Sequence, residues 1–140
     1  MDLVYLDTSA YLGFILGEKA AQQLLTVINQ RPLCSSILLL IESERNLVRL
    51  SRSGLLTESD YTVAMQRLKQ DREFFLLKET TADLCLTGEF PPIHTPRSND
   101  LIHLRTARWF QRHETLSAFL TLDQQQKRAA QDLGLPVGEL

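Results

Sequence analysis

Four acidic side chains, Asp7, Glu42, Asp100 and Asp123, are spread over almost the whole 140-residue chain, and two of them follow apolar, strand-like runs. Val4-Tyr5-Leu6 leads into Asp7, and Ala118-Phe119-Leu120-Thr121-Leu122 leads into Asp123. In an open parallel sheet, residues just beyond the carboxyl ends of the strands gather on one edge, in the crevice where such folds bind ligands. Acids remote in sequence then converge, and carboxylates that close repel one another unless protons or cations neutralise them. Hard oxygen donors select magnesium or manganese, ions that keep much of their water and suit phosphate chemistry. The chemistry expected of this set is that of a metal-dependent nuclease.

Positioning the acids requires strands alternating with helices. Leu3 to Leu6 reads as a short buried strand, and Thr8 or Ser9 can cap the helix that follows, which carries Tyr11, Leu12, Phe14, Ile15 and Leu16 before Gly17 stops it. A second helix is predicted from Glu18 to Gln30, with Ala20, Ala21, Leu24, Leu25, Val27 and Ile28 on its apolar side. Arg31-Pro32 breaks it, and Leu33-Cys34-Ser35 reads as the next strand. Ser35 or Ser36 then starts a helix to about Ser51, whose run Ile37 to Ile41 is apolar all round and predicts burial between a sheet and other helices. Ser53-Gly54 ends it, and Thr57-Glu58-Ser59-Asp60 opens another amphipathic helix with Val63, Ala64 and Leu68.

Phe74 to Leu77 reads as a third strand, Thr80 to Leu86 as a short helix, and Gly88 to Pro96, with three prolines, as a loop. Asp100 falls near the start of a long helix containing Leu101, Leu104, Ala107 and Trp109. A strand ending near Leu122, a helix from Gln124 to Leu133, a Gly134 stop and a brief Leu135-Pro136-Val137 segment complete the chain. The alternation implies a parallel sheet covered on both faces, within one domain spanning residues 1–140.

Composition narrows the class. Apolar residues at 44% and charged residues at 23% are globular values, which argues against disorder or a fibrous repeat. A net charge of −2 neither requires nor excludes a nucleic-acid partner, because binding depends on where the basic residues lie. Cys34 and Cys85 form no CxxC pair, so zinc and redox motifs find no support, and buried thiols in a reducing cytosol are expected. The acid at Asp2 stands where a secretory signal would carry a base, and no stretch has the length of a membrane span, so a soluble, cytoplasmic protein is expected. Neither a P-loop nor a dinucleotide glycine pattern is present.

Each acid has a plainer reading. Asp7 and Asp123 are also what a helix N-cap needs, and Asp100 lies in a first helical turn, where the dipole favours a carboxylate. Glu42 competes with Glu44, two residues away and therefore on a roughly opposite face. Glu42 shares its face with Arg45, Asn46 and Arg49, whereas Glu44 neighbours Leu40, Ile41, Leu47 and Val48, so Glu42 is the better candidate. An exposed ion pair is the alternative for either. Thr121 is placed to hydrogen-bond an ion's water or a neighbouring carboxylate. His103, one turn after Asp100, invites comparison with a histidine–carboxylate iron site shared with His94, but a packed helix histidine is the ordinary account.

Leu6-Asp7-Thr8-Ser9-Ala10, Ser36 to Glu42 with Arg45, Arg97-Ser98-Asn99-Asp100-Leu101-Ile102-His103-Leu104, and Phe119 to Asp123 together resemble a PIN domain. In order and spacing they are similar especially to the VapC-type toxins of toxin–antitoxin pairs. The resemblance spans nearly the whole chain and implies a three-layer α/β/α fold with a central parallel sheet. It also implies an acidic site for Mg2+ or Mn2+ and endonucleolytic cleavage of RNA. On that reading Asp7, Glu42 and Asp100 hold the principal ion, with Asp123 bound directly, through water, or at a second ion. Arg97 and His103 match the usual pattern around Asp100, while Asn99 and Leu101 depart from it. An antitoxin protein and a homodimer are further implications. Haloacid-dehalogenase-like phosphatases also begin with a strand and an aspartate but carry a second aspartate two residues on, where this chain has Ser9.

Substrate contact falls to polar and basic residues around the acidic edge: Ser9, Arg97, the series Arg45, Arg49 and Arg52, and the series Arg105, Arg108 and Arg112. Two other functions stay open. A PIN-like interaction module with little catalysis would not need four acids, and a metal-dependent phosphatase of another α/β family would keep the cluster but change the substrate.

Overall fold

A computed structural model describes residues 2–94 and 97–138. Met1, Glu139 and Leu140 lie outside the described residues, as do Thr95 and Pro96 of the predicted loop. Among the described residues the four strands are β1 (Asp2–Leu6), β2 (Leu33–Ser36), β3 (Phe75–Lys78) and β4 (Thr115–Leu120), all parallel in the order β3-β2-β1-β4. The chain therefore moves outward from β1 through β2 to β3, then returns to lay β4 on the other side of β1. That reversal makes the β1/β4 boundary a topological switch point, where the carboxyl ends of adjacent strands leave a crevice.

β1 is buried on both sides, as a central parallel strand must be: Leu3, Val4 and Tyr5 are wholly buried and Leu6 nearly so. Its period of two divides the core. Leu3 and Tyr5 pack with Leu104, Ala107 and Phe110 of α7 (Ser98–His113) and with Ala129 and Ala130 of α8 (Gln124–Asp132). On the opposite face, Val4 and Leu6 meet Ala10 and Tyr11 of α1 (Thr8–Ile15), Leu39 of α4 (Leu38–Arg52) and Leu68 of α5 (Glu58–Asp71). Helices on both faces of one parallel sheet give the three-layer α/β/α fold expected.

Several local expectations shift. The helix foreseen over Glu18 to Gln30 is two four-residue helices, α2 (Lys19–Gln22) and α3 (Leu25–Ile28). A turn at Gln23-Leu24, closed by the Leu24 amide on the Ala21 carbonyl, lets Ala21 and Leu24 both reach the core and leaves Leu25 half exposed. Ile37 to Ile41 is not buried all round. Leu39, Ser43 and Leu47 form one buried stripe at helical spacing, which leaves Ile41 59% exposed off that stripe. β4 starts earlier than foreseen and stops at Leu120, whose carbonyl takes the Asp7 amide, so Thr121 and Leu122 form the turn into α8. Val137 makes a single parallel bridge to Phe119 beyond β4. Cys34 is buried as expected, but Cys85 is exposed on the five-residue α6 (Ala82–Leu86), which buries only Leu84.

Gly13 governs how closely α1 approaches the site. A Cβ there would stand 2.7 Å from Leu122 Cδ1 and 2.8 Å from Ala21 Cβ. Alanine gains about 1 kcal/mol of helix propensity, but overpacking against the fixed Ala21 backbone costs about 1–3 kcal/mol. Gly13→Ala is therefore expected to lower the urea midpoint of unfolding, and a raised midpoint would show that α1 moves freely from the β4–α8 turn.

Candidate active site

Asp7 ends β1 and caps α1: its Oδ1 accepts from the Ala10 amide at 3.1 Å and from Ser9 Oγ at 2.7 Å. The carboxyl is 5% exposed. Burial pushes its pKa up, against the opposing pull of His103 and of the Thr121, Ser9 and Ala10 donors. The cap reading and the site reading thus hold together, since one oxygen serves the helix. Ser9 Oγ also accepts from the Leu122 amide at 2.9 Å and lies 3.1 Å from Thr121 Oγ1. This network ties the β1–α1 turn to the β4–α8 turn across the switch point.

Asp123 caps α8 through the Gln125 and Gln126 amides, while its other oxygen, Oδ2, lies 3.5 Å from Arg97 Nη2. Arg97 Nε contacts Asp100 at 3.2 Å, so one guanidinium bridges two of the four acids. Asp100 lies in the first turn of α7, as the sequence implied. Glu42 projects from α4, where its Oε1 accepts from Thr8 Oγ1 at 2.9 Å and pairs with His103 Nε2 at 2.7 Å. Burial acts to raise the Glu42 pKa, but the hydrogen bond and charge of His103, with the Thr8 and Asn99 donors, outweigh it and hold the carboxyl below its usual range.

Asp7, Glu42, Asp100 and Asp123 all line one cleft of about 770 Å³ at the carboxyl edge of the sheet. Arg45, Asn46 and Arg49 line it from α4, as do Ser9, Arg97 and Asn99. Glu44 is exposed outside the cleft. The acids share a cleft without closing on a point: among the described residues, no three His, Cys, Asp or Glu side chains are grouped tightly enough to hold one ion as they stand.

Other expectations need correction. Thr121 does serve a neighbouring carboxylate, as a donor to Asp7, but it is buried, accepts from the Asp123 amide and does not line the cleft, so it props the turn from within. Ser9 lines the cleft, but its hydroxyl is committed to Asp7 and the β4–α8 turn. Arg52 does not line the cleft, and neither do Arg105, Arg108 and Arg112. Arg105 instead reaches the Thr87 carbonyl, and both Arg105 and Arg108 lie over the Phe90 ring. The packed-histidine account of His103 holds, since His103 is buried while His94 is exposed. Sequence reasoning read Thr8 only as a helix cap and Asn99 only as a departure from the family pattern, and it missed the use of His103. The signal for His103 was its place one turn after Asp100 on the inward face of α7.

The PIN domain family model matches residues 4–132. The chain belongs to the PIN domain family. PIN domains are generally nucleases, which makes the cleft of this PIN domain the place to look for phosphodiester chemistry. No curated protein matches the chain. No helix among the described residues is long and apolar enough to cross a membrane.

Proposed function

We propose that this PIN domain is a divalent-metal-dependent endoribonuclease, the toxin of a VapC-type toxin–antitoxin pair, acting as a single unit over residues 1–140. One observation carries the reading: four carboxylates from four separate segments line a single cleft at the switch point of a parallel sheet, with arginines on its rim.

The donor set fits a hard cation. All four ligand candidates offer carboxylate oxygen, and the Arg97 guanidinium already rests on Asp100 and Asp123 as a positive charge would. Asp7, Glu42, Asp100 and Asp123 would hold Mg2+ or Mn2+, the ion competing with Arg97. Such ions supply an activated water and stabilise negative charge at a phosphate. The protein's own contributions are separable. Ser9 and the Ala10 amide orient Asp7, Thr8 and His103 orient Glu42, and Arg45 and Arg49 offer cations to RNA phosphates at the rim. Arg97, 79% exposed, is placed to exchange its two carboxylates for a phosphate once a metal takes them. An antitoxin covering the cleft and a homodimer belong to the same proposal.

The test is cleavage of a panel of structured RNAs with and without magnesium or manganese. Glu42→Gln is expected to lower the rate about 100-fold or more, in keeping with loss of a charged group that acts on the reacting centre. Glu44→Gln should leave it within about twofold, since exposed substitutions rarely matter. Equal losses would refute the choice of Glu42, and a parent inactive on every RNA with either ion would favour a PIN-like interaction module.

A further inference from the structure

Glu42 is held from behind by a buried chain of hydrogen bonds that begins in the sheet. Tyr5 sits in the middle of β1, its ring stacked on Phe119 at 5.2 Å and set edge-on to His103. Its hydroxyl reaches His103 Nδ1 at 2.7 Å, and the far nitrogen of the same ring, Nε2, lies 2.7 Å from Glu42 Oε1. An ionised carboxylate can only accept, so the Nε2 hydrogen donates to Glu42, and Nδ1 either accepts from the tyrosine hydroxyl or donates to it. Thr8 Oγ1 donates to the same carboxylate oxygen and lies 3.2 Å from Nε2. Both donors fall on Oε1, so they fix the plane of the carboxylate and leave Oε2 as the oxygen they do not occupy. His103 is 2% exposed, so its ring has no solvent into which to turn.

A histidine that merely filled space would not need both nitrogens engaged by groups on different elements. Here β1, α7 and α4 meet through one imidazole, and its outer hydrogen bond ends on an acid of the cleft. We propose that His103 is a positioning residue: with Tyr5 it sets the orientation of Glu42 and thereby the affinity of the cleft for a divalent cation. The inference rests on the metal-dependent reading given above. Partners that orient a ligating group from outside typically change metal affinity about 10–100-fold when removed.

Manganese affinity measured by calorimetry, with circular dichroism and metal-free melting as controls of fold, tests it without reference to cleavage. His103→Ala is expected to weaken manganese binding about 10–100-fold. His103→Gln, whose amide can donate from nearly the place of Nε2, should recover most of that loss, and Tyr5→Phe should show a smaller weakening. In a Glu42→Gln background, His103→Ala should add little, because the two act through one contact. A folded His103→Ala protein that binds manganese as tightly as the parent overturns the inference, as does an equal loss in the Glu42→Gln background. Should His103→Ala fail to fold, Tyr5→Phe decides, and parental affinity in that variant overturns it. A parent that binds no manganese refutes the metal-dependent function itself and takes this inference with it.

Discussion

Asp7→Asn is expected to abolish divalent-ion-dependent RNA cleavage, lowering the rate by about 10³-fold or more while leaving the fold intact. The magnitude follows from removing several kcal/mol of charge stabilisation at the reacting phosphate, at tenfold per about 1.4 kcal/mol. The fold should survive, because asparagine caps helices about as well as aspartate and its carbonyl oxygen can still accept from the Ala10 amide and Ser9. Asp100→Asn is expected to match this loss. Its side chain makes no hydrogen bond to the backbone among the described contacts, only the exposed pair with Arg97, a type worth little to stability. Parent and variants purified identically and assayed on the same RNAs provide the measurement. If both variants retain the parent rate, the carboxylates are capping and ion-pairing groups and the nuclease proposal fails.

The second large effect is on stability, and its sign depends on metal. Burial raises the Asp7 pKa in the folded protein above its value in the unfolded chain. Between those two values the native state binds more protons than the unfolded one, so stability falls as pH rises through that window. Asp7 is therefore a stability cost at neutral pH without metal, and Asp7→Asn should raise the metal-free melting temperature. That gain should shrink as the pH is lowered through the ordinary carboxyl range, below which Asp7 is protonated in both states. Magnesium or manganese should reverse the order. An ion bound to the folded state alone adds about 2.7 kcal/mol at one hundred times its dissociation constant, and the neutral amide forfeits much of it. Melting curves of parent and variant at neutral and acid pH, with and without metal, separate these contributions. Equal metal-induced shifts in both proteins would place the binding elsewhere.

The layered architecture was legible from local pattern. Leu3 to Leu6 is apolar throughout, as a strand covered on both faces must be, and the helix starts at Thr57 and near Asp100 lie where their capping and first-turn chemistry put them. The choice of Glu42 over Glu44 for the cleft followed from the helical period, since Arg45, Asn46 and Arg49 share that face, together with the spacing from Ser36. Asp7 and Asp123 were found because an acid after an apolar strand has few places to go except the sheet edge.

Periodicity is a local signal and carries no information on strand order. That β4 returns beside β1, making the switch point whose cleft both Asp7 and Asp123 line, follows from packing of the whole chain. The same topology brings Tyr5 to His103 across 98 residues and His103 to Glu42 across 61. It also sorts the arginines: Arg45, Arg49 and Arg97 face the cleft, while Arg105 turns to the backbone after α6. The basic residues of the two helices look alike in sequence because a charged side chain satisfies the pattern of any solvent-facing position. Which face becomes a functional rim is set by what the neighbouring elements leave uncovered, and in this chain that is the crevice between β1 and β4.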